Sequence, residues 1–335
     1  MKSIFLTNIS GQINYVYDQG SIELLKNIAS LDEKVYKKED ILANPDSFKD
    51  VRFIFSTWGM PTFSQEEIKN IFPSLECVFY GAGSVQSFAR PFINSGVKVF
   101  SAWAANAVPV AEYTVAQIIL ANKGFYATSR YMSRGDYEES KKIRSQFNYR
   151  GNFGETIGII GAGMIGKLVI KMLKAYRLNV IVFDPFLPDE VALDLGVTKC
   201  SLEEVFSRSS VISNHLANNA QTKGMIKYDH FSCMRNGATF LNTGRGAQVV
   251  EEDLIKCLTQ RPDITAILDV TAPEPPAKDS RFYELDNCIL TPHIAGSSGD
   301  EVHRMSEYMI EEYKKYVEGK PCLYEVSMKM LETMA

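Results

Sequence analysis

The side chains able to do chemistry in this chain lie at the ends of apolar runs. Arg245 sits between two glycines in "ATFLNTGRGAQVV". Asp269 closes the apolar part of "ITAILDVTAPEPP", and Glu274 follows in its proline-rich loop. His293, one of only 4 histidines, comes directly after "CILTP". A guanidinium can grip a carboxylate with two parallel donors and polarise a neighbouring carbonyl. An imidazole can give a proton to a carbonyl oxygen and take it back in the reverse direction. A carboxylate beside the ring favours its charged form and fixes its tautomer. Taken singly, each residue has a bland explanation: a histidine closing a strand, an arginine capping a loop, a solvated glutamate, an aspartate holding a turn. Together they are the set that reduction of a 2-oxo acid would need, where a hydride goes to carbon and a proton to oxygen.

Upstream, "TIGIIGAGMIGKLVIKML" carries Gly161, Ala162, Gly163, Met164, Ile165 and Gly166 after an apolar run and at the opening of a helix. The three glycines allow a tight turn, close backbone approach to a pyrophosphate and close packing of helix on strand, while the helix N-terminus offers amides and a positive dipole end. The bare pattern is weak. Its context is not. The next apolar run, "NVIVFDP", ends at Asp184, whose carboxylate can accept bonds from the adenine ribose hydroxyls and would repel a 2′-phosphate; Pro185 and Phe186 follow in place of an arginine. A dinucleotide site selecting NAD over NADP is expected.

These residues need a scaffold. Strands are expected at 4–7, 51–56, 75–80 and 97–101, then at 157–160, 180–183, 211–214, 238–242, 264–270 and 288–290. Several are apolar throughout, which suits a parallel sheet covered on both faces. Helical stretches fall between them, two opening on capping boxes, Ser64 with Glu67 and Ser201 with Glu204. The alternation implies right-handed βαβ units in doubly wound α/β domains, and 335 residues call for two of them. Ligands bind beyond the carboxyl ends of such strands, so Arg245, Asp269, Glu274 and His293 are expected to converge there. One stretch, 124–154, is polar and strand-poor, with its densest basic group at 141–144 read as a solvated loop; an apolar helix over 110–123 precedes it.

Hydrophobic content of 45%, charged content of 23%, a net charge of -4 and a pI near 5.7 describe a soluble protein without a nucleic-acid surface. The N-terminal apolar run is too short for a signal peptide, and no stretch approaches the roughly 20 apolar residues of a membrane span. The 6 cysteines show no ligand spacing. They read as reduced, mostly buried thiols of a cytoplasmic protein with no metal site.

"GIIGAGMIG", "NTGRG", "LDVTAPEP" and "TPHIAG", in this order, resemble the D-isomer-specific 2-hydroxyacid dehydrogenase family, as do "NAVPVAEYT" and "HLANNAQTKGMI". The resemblance implies His293 as general acid/base, Glu274 as its partner and Arg245 as the substrate-gripping arginine. It implies cofactor contacts at Gly161–Gly166, Asp184, Leu216, Thr243 and Asp269, and substrate binding by the loop holding Gly81, Ala82 and Gly83. It also implies a Rossmann NAD-binding domain (104–297, with a dimerisation helix and arm) inserted into a flavodoxin-like substrate domain (1–103 plus 298–335), closure of a cleft between them, and a homodimer. The sequence departs from the family's habit after His215, where Ala217 stands in place of a proline, and at Ser84-Val85-Gln86. Trp58 falls on a loop expected to wall the substrate pocket or to cover the small domain's core. The expected function is NAD-dependent interconversion of a small D-2-hydroxy acid and its 2-oxo acid. The alternative is an NAD(H)-sensing interaction protein like the family's corepressor relatives. An L-specific lactate or malate dehydrogenase fits less well, because the glycine motif is far from the N-terminus.

Overall fold

The computed structural model describes residues 2–147, 149 and 151–332. The chain forms two compact units, one of Met1–Asn106 with Ser297–Ala335 and the other of Ala107–Gly296. The first holds a five-stranded sheet of β1 (Lys2–Leu6), β2 (Leu31–Tyr36), β3 (Val51–Ser56), β4 (Cys77–Tyr80) and β5 (Lys98–Ser101), all parallel, in the order β2-β1-β3-β4-β5. Strand alternation splits its apolar residues between two faces. Ile4, Ile54, Val78 and Val99 enter one core; Phe5, Phe53, Phe55, Phe79 and Phe100 enter the other. On that second face Phe79 stacks on Phe55 at 5.2 Å and on Phe100 at 4.9 Å. Tyr313 of the helix His303–Val317 closes over Phe79 edge-on at 5.7 Å. Burying each such ring contributes about 1.5–3 kcal/mol of transfer free energy, so the returning C-terminal helix is integral to this unit.

The open edge of β5 is covered by the segment after that helix. Ser101 N–H donates to Tyr324 O at 3.1 Å and Val326 N–H to Val99 O at 2.8 Å. The segment is fixed by Glu312, fully buried, whose Oε2 accepts from Leu323 N–H at 2.7 Å and Tyr324 N–H at 2.9 Å. An edge left bare would invite pairing with another chain.

The second unit is a seven-stranded parallel sheet: β6 (Phe153–Ile160), β7 (Arg177–Phe183), β8 (Thr198–Lys199), β9 (Val211–Asn214), β10 (Thr239–Asn242), β11 (Thr265–Leu268) and β12 (Cys288–Leu290). Its order is β12-β11-β10-β9-β6-β7-β8. The chain leaves β6 in one direction toward β7 and later returns on the other side through β9, so the carboxyl ends of β6 and β9 flank the point where the winding reverses. That is where a doubly wound sheet takes its ligand. Both capping boxes form, with Glu67 N–H and Glu204 N–H each donating to the cap serine hydroxyl at 3.1 Å.

Several expectations are corrected. β2 and β8 were not foreseen: "LDEKVY" and "TK" are polar because each is an edge strand. Residues 141–144 lie inside the helix Tyr137–Phe147, not in a loop. Among the described residues one helix, Trp103–Asn122, does reach membrane-spanning length and apolarity, and 50% of its apolar 18-residue window is buried within the protein. Of the cysteines only Cys77 and Cys257 are buried; Cys233 is exposed and the others lie between.

Candidate active site

The glycine motif occupies the turn from β6 into the helix Met164–Leu173. Gly161 has φ +88°, and a Cβ there would lie 2.8 Å from His215 O. A Cβ on Gly163, by contrast, would meet nothing within 4 Å, and as N-cap it makes no side-chain hydrogen bond. The space over Gly163, at the first-turn amides of this ten-residue helix, is therefore open. A pyrophosphate fits it, drawn by those amides and the positive end of the helix dipole. Ala162, Met164 and Ile165 line the same turn. Asp184, one residue past β7, accepts from Ala162 N–H at 2.7 Å and Phe186 N–H at 2.8 Å, which fixes its carboxylate beside the motif. Each oxygen keeps a lone pair for a ribose hydroxyl. Asp184→Ala is expected to raise the NADP-to-NAD ratio of kcat/KM by about tenfold, since a charge facing the 2′-phosphate is gone. Steady-state assays with both cofactors read it, and an unchanged ratio would remove Asp184 from cofactor choice.

Leu216 follows β9 and is half-buried; Thr243 follows β10, buried, its hydroxyl 3.3 Å from that of Thr114. His215 lies between Asn214 and Leu216, its Nε2 2.9 Å from Ser213 Oγ, and burial pushes its pKa down to about 3. It is a neutral packing histidine at physiological pH.

Arg245, Asp269 and His293 follow β10, β11 and β12, three adjacent strands in register at Asn242, Leu268 and Leu290. The outer two strands are thus about 10 Å apart, two strand spacings. Gly246 brings the loops closer. A Cβ on it would fall 2.0 Å from Thr271 C, so the Arg245 turn abuts the backbone that leads to Glu274. That backbone is also held by Glu251, which accepts from Ala272 N–H at 2.7 Å and whose carboxyl burial pushes above its usual range. Glu274 stands between two prolines, Pro273 and Pro275, each joined by a cis peptide bond. Its Oε1 lies 2.5 Å from His293 Nδ1. Nδ1–H therefore donates to the carboxylate, and Nε2 on the far side of the ring is left to exchange a proton. Arg245 is half-buried. Its Nη1 donates to Gly244 O at 2.7 Å, and no carboxylate among the described residues pairs with it.

His293 has φ 54°, the left-handed region, which costs a non-glycine residue about 1–3 kcal/mol. Asp269 holds it there. His293 N–H donates to Asp269 O at 3.1 Å, while the 2% exposed carboxylate accepts from Thr291 Oγ1 at 2.6 Å, Ile294 N–H at 2.9 Å and Ala295 N–H at 2.9 Å. Asp269, which the family resemblance implies as a cofactor contact, also anchors the histidine turn. Thr291 escaped notice in the sequence; its position between strand and histidine was the available signal. Asp269→Ala is expected to lower kcat by about tenfold to a hundredfold and unfolding free energy by about 2–4 kcal/mol, since three bonds to a buried charge are lost together. Unchanged kcat in the folded variant would contradict the anchoring role.

Trp58, Gly81, Ala82 and Gly83 belong to the first unit and are described within it. Thr57 Oγ1 donates to Gly81 O at 2.8 Å, and Ser101 Oγ donates to Ala82 O at 2.9 Å and Gly83 O at 2.6 Å. Gly81, whose N–H donates to Ser56 O at 2.8 Å, thus turns toward β3, while Ala82 O also accepts from Ala102 N–H at 3.0 Å and turns with Gly83 O toward β5. Trp58, half-buried, has its carbonyl held by Thr7 Oγ1 at 2.7 Å and its ring centroid 6.3 Å from that of Tyr15.

Comparison with known proteins agrees with this fold. Residues 115–295 match the family described as "D-isomer specific 2-hydroxyacid dehydrogenase, NAD binding domain". The chain is 30% identical over 237 residues to a D-3-phosphoglycerate dehydrogenase of Archaeoglobus fulgidus, covering 71% of this chain but 44% of that one. It thus spans less than half the length of that relative. Among solved structures, a phosphoglycerate oxidoreductase from Rhizobium etli superposes with a TM-score of 0.81 at 22% identity, covering 98% of this chain and 99% of that one. The D-mandelate dehydrogenase of Rhodotorula graminis does so with a TM-score of 0.79 at 18% identity, covering 97% of each. At these identities the structures speak for the fold.

Proposed function

The chain belongs to the D-isomer specific 2-hydroxyacid dehydrogenase family, and on that premise we propose that it interconverts a small D-2-hydroxy acid and its 2-oxo acid, with His293 as general acid/base, Glu274 as its partner and Arg245 as the grip on the substrate carboxylate. Its cofactor is NAD. The observation that carries the proposal is the 2.5 Å contact of His293 Nδ1 with Glu274 Oε1, made by a histidine held at φ 54°. Strain of this kind, enforced by four hydrogen bonds at Asp269, supports a placement made for chemistry rather than for closing a strand.

Bound NADH supplies a hydride to the substrate's carbonyl carbon. In that direction His293, protonated on both nitrogens, gives the Nε2 proton to the carbonyl oxygen and is left neutral, with Nδ1–H still donated to Glu274. The ring regains its proton from solvent. Glu274 accepts Nδ1–H before and after the transfer and so keeps the ring's tautomer and orientation fixed. Arg245 binds the carboxylate through its fork, which sets the carbonyl's orientation. NADH oxidation by the purified protein with glyoxylate, pyruvate, hydroxypyruvate, branched and aromatic 2-oxo acids tests the proposal. Saturable turnover with at least one of them is expected. None with any, in a preparation that binds NADH, would sink it.

A further inference from the structure

Three carboxamides are buried between two of these loops. Asn214 ends β9, Asn242 ends β10, and Gln248 closes the 3-10 turn Gly246–Gln248; they are 0%, 1% and 0% exposed. Gln248 Oε1 accepts from Arg245 N–H at 3.1 Å, and its Nε2 donates to Leu216 O at 2.6 Å. Asn214 Oδ1 accepts from Leu216 N–H at 3.2 Å. Asn242 Nδ2 donates to Arg245 O at 3.2 Å, and its Oδ1 accepts from Gly244 N–H at 3.1 Å. Asn214 Nδ2 ties the three together, donating to Asn242 Oδ1 at 3.0 Å and Gln248 Oε1 at 2.6 Å.

Every one of these amides has a main-chain partner whose role as donor or acceptor is fixed, so the oxygen and nitrogen ends cannot be exchanged. The outcome is unusual. The N–H and C=O of Leu216 and the N–H and C=O of Arg245 are all held by the same three side chains. Gly244 leaves room for them, since a Cβ there would lie 2.8 Å from Gln248 Oε1 and 3.0 Å from Asn214 Nδ2. Leucines could fill this volume without the desolvation that three carboxamides incur. A polar cluster satisfied in one arrangement specifies that arrangement. Here it specifies how the Leu216 loop stands against the Arg245 turn.

We propose that Asn214, Asn242 and Gln248 are positioning residues that lock the Leu216 loop and the Arg245 turn in one register, so that affinity for NADH and affinity for the 2-oxo acid are set together by side chains whose own polar atoms are spent on the protein. This rests on reading Leu216 as a cofactor contact and Arg245 as the carboxylate grip. The test compares the unaltered protein, Gln248→Leu and the double variant Asn214→Leu/Gln248→Leu by NADH fluorescence titration, by KM and kcat for the best 2-oxo acid, and by thermal unfolding. Gln248→Leu is expected to raise the NADH Kd and the 2-oxo acid KM together, each by about tenfold, with a smaller change in kcat, because about one buried hydrogen bond per loop is lost. The double variant also frees the N–H of Leu216, unfolds at a lower midpoint still and recovers neither constant. If it recovers the constants, or if Gln248→Leu leaves both at native values, the cluster serves folding alone and the proposal is overturned. Should Gln248→Leu fail to fold, Gln248→Glu, which keeps an acceptor for Arg245 N–H and loses the amide donor to Leu216 O, decides by the same two constants. Should the unaltered chain reduce no 2-oxo acid, the functional reading fails, and the NADH titration alone still decides: a raised Kd upholds the register, an unchanged one ends it.

Discussion

Replacing His293 with alanine is expected to lower kcat for the best 2-oxo acid by about 10²–10⁴-fold, the usual worth of a positioned acid/base, while NADH affinity stays close to native. The separation of the two effects follows from the structure. His293 holds its place through its backbone N–H and the Asp269 anchor, not through its ring, so removing the ring leaves the turn intact. The glycine cradle lies on other strands and is not disturbed. His293→Gln is the sharper control, because its amide can accept from substrate yet cannot cycle a proton. It should stay as inactive as the alanine variant. Near-native kcat in either would assign the proton to another group, and Glu274 would then be the residue to change. Glu274 is about as exposed as the histidine, with side-chain accessibilities of 40% and 47%, so the pair serves orientation more than stability.

Changing Arg245 to alanine is expected to raise KM for the 2-oxo acid by about a hundredfold, from the loss of two charge-assisted bonds of about 1.5 kcal/mol each. The turn should survive, since its main-chain groups are held by Asn242 and Gln248 and the side chain gives only Nη1 to Gly244 O. NADH binding should therefore change little. Arg245→Lys keeps the charge but not the planar fork, and less than a tenth of the lost kcat/KM should return. A KM within threefold of native in the alanine variant would take the carboxylate grip away from Arg245.

Much of this was legible in the sequence because buried parallel strands must be continuously apolar, and because the residues that end them are free to be polar. β6, β9, β10 and β11 announced themselves in that way, as did β12, an apolar edge strand of half-buried residues, and each carries its chemistry within three residues of its end. The strands that escaped, β2 and β8, are edges with little to bury. The stretch 124–154 read as polar and strand-poor, with a loop at 141–144, because its helices, Phe125–Met132 and Tyr137–Phe147, bury little of themselves; Ala127 and Ser140 are their buried residues. Asp269 could be found but not understood, since its partners are backbone amides that no residue type reveals. The left-handed backbone of His293 has no signature at all in a histidine. Nor do Asn214 and Gln248, 34 positions apart, announce that they meet.

The discontinuity of the first unit bears on how the chain is made. Phe53, Phe55, Phe79 and Phe100 leave the ribosome early, but the helix that roofs them, His303–Val317, emerges only after all of Ala107–Gly296. At roughly 5–20 residues per second that delay is about 10–40 s. Through that interval an aromatic sheet face lacks its roof, the kind of exposed apolar surface that makes a nascent chain prone to aggregate.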